Sequence, residues 1–250
     1  MIKSAADFCH VDVVKFQKRT PKELLSEEEF NRPHPNPENS YGNTYGEHRE
    51  FLELDKDQHQ QLMAWCDEFG VEYSTSVWDL TSAKEISSLD PNFLKIPSAC
   101  NLNFVMLNWL SENYSGKIHL SFGMTTKEEE HKIVSFFEER ERANDLVLYS
   151  CTSGYPVDPK DVCLYEIPRI RMTFEDKVHA IGFSGHHNGI AIDLAALALG
   201  AEWIERHFTL NRTWKGTDHA ASLEPDGMRR LVRDLNNTYL ALSSKSEDIL

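Results

Sequence analysis

Short apolar runs alternate along this chain with longer stretches in which apolar positions return every three or four residues. The runs predict strands at Val11–Phe16, Val71–Ser76, Phe93–Ile96, Lys117–Ser121, Leu146–Cys151, Ala180–Phe183 and Glu202–Arg206. The periodic stretches predict helices at Lys56–Phe69, Ser82–Ser88, Phe104–Asn113, Lys127–Arg142, Ile190–Leu199 and Pro225–Leu242, and Tyr165–Phe174 also reads as helix. Ile2–Phe8 reads as the back half of a helix that precedes the first strand. Repeated strand–helix alternation predicts a parallel sheet with helices outside it.

Seven strands are one short of a closed (β/α)8 TIM-type barrel. An open seven-stranded sheet is the rival. Polar residues cluster at the C-terminal end of every strand, which favours a barrel lacking its first strand. Lys18–Glu53 is a long connection in which clustered Pro, Asn and Gly forbid regular structure over much of its length. Tyr41, Tyr45 and His48 favour a packed lid there.

The chain has 250 residues, 40% hydrophobic and 26% charged, the proportions of a globular protein. A formal net charge of −14 disfavours a nucleic-acid partner but leaves room for a small anion held by local lysines. No apolar run is long enough to span a membrane, and no basic-then-apolar signal opens the chain. The five cysteines are scattered and odd in number, which fits a reducing cytoplasm. Cys100, Cys151 and Cys163 read as buried small hydrophobes, not nucleophiles.

The strand ends carry the candidate chemistry. His186 and His207 hold the same relative place in two successive strand–helix units. If neighbouring parallel strands carry them, their imidazoles meet across roughly 5 Å of sheet spacing. Neutral imidazoles with oxygen donors suit a divalent ion such as manganese, iron, cobalt or zinc. Lys15 and Gln17 share parity with Val13 and point to one face. An inward lysine needs an anion, and Lys15 and Lys95 among hydroxyls and glycine turns suit a phosphate or carboxylate. Taken singly, each feature has a plainer reading: a solvated lysine, a helix-capping hydroxyl, a hydrogen-bonded core histidine. Their convergence on one end of the strands favours an active site.

Several ordered segments extend this pattern: Val14-Lys-Phe-Gln-Lys18, Tyr45-Gly-Glu-His-Arg49, Leu94-Lys-Ile-Pro-Ser98, Leu120-Ser-Phe-Gly-Met124, Cys151-Thr-Ser-Gly-Tyr-Pro156, Gly182-Phe-Ser-Gly-His186, Ile204-Glu-Arg-His207 and Trp214-Lys-Gly-Thr-Asp-His219. In order and content the chain resembles the sialic acid synthases, the phosphoenolpyruvate-dependent N-acetylneuraminate synthases. The resemblance implies a barrel that condenses phosphoenolpyruvate with N-acetylmannosamine or its 6-phosphate, giving N-acetylneuraminate or its 9-phosphate and phosphate. It implies a catalytic set of His186, His207, Lys95 and Glu205, with His186 and His207 holding a divalent metal, Mn2+. Lys15, Thr75, Lys95, Ser98, Ser121, Ser153 and Ser184 would surround phosphoenolpyruvate. Gln17, Tyr155, Glu205 and Asp218 would face the sugar. Enzymes of this kind form dimers, so a homodimer is a further partner the resemblance allows, and the cysteine usage makes the cytoplasm the expected setting.

By the same resemblance, residues 1–250 are a single barrel domain, incomplete at its N-terminal side and without the C-terminal antifreeze-like domain of such enzymes. An acidic position of the family is Cys100 here. Weak or no activity of the chain alone is therefore expected. The alternatives are a synthase of a related legionaminic or pseudaminic acid, and a non-catalytic barrel remnant that binds a partner.

Overall fold

Seven parallel strands in consecutive order form one curled sheet in the computed structural model, which describes residues 1–246. The last four positions of the expected 1–250 domain lie outside the described residues. The strands are β1 (Val13–Lys18), β2 (Glu72–Val77), β3 (Phe93–Ile96), β4 (Lys117–Ser121), β5 (Leu146–Cys151), β6 (Ala180–Gly185) and β7 (Trp203–Arg206). Each predicted strand is present, with its ends moved by at most two residues. Among the described residues β1 pairs only with β2 and β7 only with β6, so a seam stays open between the two edges. The architecture is α/β of the (β/α)-barrel type with seven of its strands in register.

Ten α-helices accompany them: α1 (Pro21–Leu24), α2 (Glu27–Asn31), α3 (Tyr45–Leu52), α4 (Lys56–Glu68), α5 (Leu80–Ser87), α6 (Phe104–Asn113), α7 (Lys127–Glu138), α8 (Glu166–Phe174), α9 (Ala191–Ala198) and α10 (Pro225–Ala241). Three of them correct the expectation of an irregular Lys18–Glu53. Ser26 and Glu29 form a capping box at the start of α2, as Thr44 and Glu47 do for α3. Each box satisfies amides at a helix start that would otherwise lack partners. The S-x-x-E and T-x-x-E spacings were the signal for these helices. The stretch between α2 and α3 is packed: His34 and His48 are buried with ring centroids 4.3 Å apart. None of the described helices is long and apolar enough to cross a membrane.

The period of two along each strand divides the chemistry between two faces. Leu94, Ile96, Ile118, Leu120, Leu146, Leu148, Ile181 and Phe183 face outward, into one cluster with Leu107, Phe137 and Ile170 of the helices. Fully burying a side chain of this size stabilises by about 1.5–3 kcal/mol. The opposite face encloses the barrel interior. Its lower layer is aromatic: Phe93 stacks on His119 at 4.1 Å, and His119 meets Trp203 edge-on at 4.7 Å.

Two buried polar contacts anchor helices to strands. On α4, His59 Nδ1 lies 2.8 Å from the hydroxyl of Tyr73 on β2. Burial pushes the His59 imidazole down to about 4. Behind β6 and β7, Arg206 pairs with Asp193 of α9, both side chains fully buried. His187 Nε2 lies 3.2 Å from the same carboxylate. Arg206 also donates to the His187 carbonyl at 2.6 Å and the Gly189 carbonyl at 2.8 Å. One guanidinium therefore ties the ends of β6 and β7 to α9.

Removing the carboxylate as Asp193→Ala leaves a buried guanidinium without its counter-ion. It is expected to destabilise by about 3–5 kcal/mol, read as a lower urea midpoint at unchanged slope; a midpoint within error of the parent would contradict the brace. The His59 contact sets a pH dependence. Its folded value lies below the ordinary 6.5, so between pH 6.5 and about 4 the unfolded chain holds a proton that the folded chain excludes. His59's contribution is thus intact above pH 6.5 and lost as pH falls toward 4. Urea midpoints over this range should fall with pH, and His59→Leu should flatten that slope.

Candidate active site at the strand carboxyl ends

Inward parity on five strands builds a charged layer directly above the aromatic one. Lys95 of β3, only 2% exposed, donates to Glu205 Oε2 of β7 at 3.1 Å. Lys15 of β1 lies 3.7 Å from the same oxygen and donates to Ser76 of β2 at 3.0 Å. Ser184 of β6 donates to the other carboxylate oxygen at 3.0 Å. Burial would raise the Glu205 carboxyl, but the two ammoniums more than offset it and hold the group well below the usual carboxylate range. Burial pulls Lys95 down, Glu205 opposes this, and the neighbouring charge of Lys15 adds to it. Two cations thus share one anion, and the surplus positive charge points into the barrel.

Glu205 was expected both in the catalytic set and at the sugar end. Its carboxylate lies between the two lysines expected to take the anions of phosphoenolpyruvate. Thr75 was also expected beside phosphoenolpyruvate. It is fully buried, but shares outward parity with Tyr73 and Val77, which pack under the helices. Its neighbours Ser74 and Ser76 point inward, to the Phe93 carbonyl and the Lys15 ammonium. Three hydroxyl residues in a row hid the register.

Hydroxyls gather around Gly123, just after β4. A Cβ at that position would come within 2.5 Å of Ser98 Oγ and 2.7 Å of Ser153 Oγ. Only a glycine leaves these two hydroxyls room on either side of the backbone. Ser98 also contacts the Cys151 thiol at 3.7 Å. Ser121, inward on β4, is buried. The turn is braced by Asn101, which donates to the Ser121 carbonyl at 2.9 Å.

One level higher, His186 and His207 face each other with ring centroids 5.3 Å apart. The spacing follows from the β6–β7 register, which pairs Gly185 with Arg206 and places the next residues opposite. His186 Nδ1 is 2.9 Å from the Thr152 carbonyl. A carbonyl only accepts, so Nδ1 carries the proton and Nε2 keeps its lone pair. Burial pushes His186 down to about 4, so the ring is neutral near pH 7. Burial also lowers His207, against the pull of Asp218, whose carboxylate is 3.9 Å from its Nδ1. Two neutral imidazoles, one with a fixed tautomer, fit a divalent ion. Among the described residues no third His, Cys, Asp or Glu joins them. The remaining coordination positions would come from substrate or water.

Tyr155 packs beside both rings, at 4.4 Å from His186 and 5.5 Å from His207. Gln17 is turned toward Arg19, whose guanidinium donates to its amide oxygen. Arg19 was not singled out from the sequence. It pairs with Glu53 at 3.1 Å and lies over the Trp78 ring at 4.3 Å. The segment before α3 meets the loop after β7 across the open seam: Tyr41 donates to the Lys215 carbonyl at 2.8 Å, and the Gly216 amide to Asn39 at 3.2 Å. Cys100 is buried in the apolar cluster, its thiol pushed up to about 12 by burial. Cys163, by contrast, is exposed with a left-handed φ of 53°, so the expectation of burial fails there.

Known proteins place this geometry in context. A curated N-acetylneuraminate-9-phosphate synthase from Drosophila melanogaster is 39% identical over 233 residues, covering 93% of this chain and 61% of that protein. The Homo sapiens protein of the same description is 35% identical over 250 residues, covering 100% of this chain and 68% of its own length. The chain thus spans about two thirds of the curated relatives it matches. A solved N-acetylneuraminic acid (sialic acid) synthetase from Leptospira borgpetersenii serovar Hardjo-bovis, in complex with citrate, superposes with a TM-score of 0.83. It is 26% identical and covers 99% of this chain and 80% of that one. A family model described as the NeuB family matches residues 1–247, and with these relatives it establishes that the chain belongs to the NeuB family.

Proposed function

We propose that this barrel carries the chemistry of a sialic acid synthase: condensation of phosphoenolpyruvate with N-acetylmannosamine or its 6-phosphate, yielding N-acetylneuraminate or its 9-phosphate and inorganic phosphate. The observation that carries the reading is the vertical order of the site. A two-lysine anion layer, with Lys95 buried and Lys15 half-buried, lies directly below two neutral imidazoles. That order would bring an anionic enol and an electrophilic carbonyl together at one barrel mouth. The names of the animal relatives support the phosphorylated acceptor.

In this reading Lys15 and Lys95 take the carboxylate and phosphate of phosphoenolpyruvate, with hydroxyls from Ser98, Ser121, Ser153 and Ser184 around them. Held there, the enol carbon is aimed upward at the acceptor, and positioning alone removes much of the entropic barrier. Gln17, Tyr155 and Asp218 border the sugar. A divalent ion, Mn2+ in this proposal, held by His186 and His207 would supply Lewis-acid polarisation of the acceptor carbonyl. The enol carbon attacks the aldehyde carbon of the open-chain sugar. Water then adds to the resulting oxocarbenium centre, and phosphate leaves by C–O cleavage. Glu205 sets the spacing of the two ammoniums and gives up part of that pairing when the substrate's anions arrive. A homodimer belongs to the same reading, carried over from the resemblance, and the scattered cysteines support a cytoplasmic setting.

Turnover by the chain alone is expected to be weak. By the resemblance a family acidic position is Cys100 here, and among the described residues the seam between β1 and β7 is open. Binding is therefore the sharper measurement. Calorimetry should show Mn2+-dependent uptake of phosphoenolpyruvate, and folded protein that binds none would overturn the proposal. Lys95→Met is expected to weaken that uptake at least about thirtyfold, since truncating one partner of a buried charge pair costs about 2 kcal/mol or more. His186→Ala should lower metal affinity by at least about a hundredfold, beyond what loss of an outer-shell partner causes. Phosphate release should need both the acceptor and the ion. A panel of N-acetylmannosamine, its 6-phosphate and diacetylated relatives then fixes the acceptor.

A further inference from the structure

Below the anion layer, Lys95 has a neighbour that the proposed reaction does not use. Its Nζ sits 3.5 Å above the centroid of the Tyr149 ring. The lysine is buried, and its one carboxylate partner, Glu205, is shared with Lys15. One negative charge between two ammoniums leaves a net positive charge in a place with little water. A desolvated ammonium over an aromatic face is stabilised through the ring quadrupole.

The ring is itself fixed from two sides. Its hydroxyl lies 2.8 Å from His119 Nδ1. His119 is clamped between Phe93 and Trp203, and burial pushes its imidazole down to about 3, so it stays neutral beside the lysine. On the far side, a Cβ at Gly182 would fall 2.7 Å from Tyr149 Cε1. Any side chain there would move the ring from under Lys95. The groups facing Lys95 are thus Lys15 from β1, Glu205 from β7, His119 from β4, and Tyr149 and Cys151 from β5.

We propose that Tyr149 is a positioning residue whose ring face acts beside Glu205 as the second partner of the Lys95 ammonium, holding it aimed at the anion site. The ring touches neither substrate nor the imidazole pair and acts through Lys95. Its relevance to phosphoenolpyruvate rests on the proposed function; its action on Lys95 does not.

The test replaces Tyr149 in the full chain by phenylalanine and then by 4-fluoro-, 3,5-difluoro- and 3,4,5-trifluorophenylalanine. Shape stays nearly constant along the series while the negative ring face fades. All four lack the hydroxyl, so loss of the His119 contact is common to them. The first readout is the 13Cε resonance of Lys95 in ligand-free protein, assigned with Lys95→Arg. Its titration midpoint should fall stepwise with fluorination, by about one unit from phenylalanine to the trifluoro ring. A midpoint that is constant across the series overturns the proposal. A purely structural role would shift melting temperature and leave the midpoint level.

The second readout is the Kd for phosphoenolpyruvate with Mn2+, expected to rise about tenfold over the same steps. If the parent protein binds no phosphoenolpyruvate while the midpoint tracks the series, the synthase reading fails and the Tyr149 role stands. If binding is intact and both readouts are flat, the synthase reading stands and the Tyr149 role fails. Gly182→Ala gives an independent check. It should lower the Lys95 midpoint by displacing the ring, with the tyrosine itself unchanged; an unmoved midpoint counts against the proposal.

Discussion

The carboxylate of Glu205 between Lys15 and Lys95 is the contact around which the barrel interior is arranged. It joins β7 to β1 and β3 across the enclosed space, where no backbone hydrogen bond reaches. A buried ammonium without an anion is too costly to keep, and one carboxylate cannot neutralise two of them. The surplus charge is met by the Ser76 hydroxyl, which accepts from Lys15, and by the face of Tyr149 under Lys95. The same imbalance is what an incoming dianion would complete. Stability and anion binding therefore draw on one set of groups.

The two imidazoles above depend on a second buried pair on the opposite face of the sheet. His186 and His207 are adjacent because β6 and β7 are parallel and in register. Their outward neighbours, His187 and Arg206, bind the fully buried Asp193 of α9. Inward residues offer ligands while the outward residues next to them fix the strand ends. This alternation lets rigid elements carry a precise constellation. It also couples the open seam to the site, because β7 has only one strand neighbour among the described residues.

The strands were legible because a period of two with apolar outward positions survives any choice of tertiary partners. Lys15 and Gln17 were assigned to the correct face by that period. The period gives no phase at Ser74-Thr75-Ser76, where every residue is hydroxyl-bearing, and Thr75 was placed by the resemblance alone. Only pairing with β1 and β3 shows that Ser74 and Ser76 face the barrel interior, to the Phe93 carbonyl and the Lys15 ammonium, and Thr75 faces the helices. In Lys18–Glu53 the prolines and glycines outweighed two capping boxes, although both were present in the sequence. Cys163 was misplaced because scattered cysteines carry no period.

The sequence by itself determined the strand–helix alternation, the clustering of polar groups at one end, and the one-unit spacing of the two histidines. These are local properties, set by side-chain periodicity and by the short range of turn and cap chemistry. The tertiary structure alone decided that Glu205 bridges two lysines lying 110 and 190 positions away along the chain. It also decided that Lys95 rests on Tyr149, and that the ring is held by His119 and Gly182. Which charges share a low-dielectric interior depends on how the sheet curls, and no local pattern encodes that curvature.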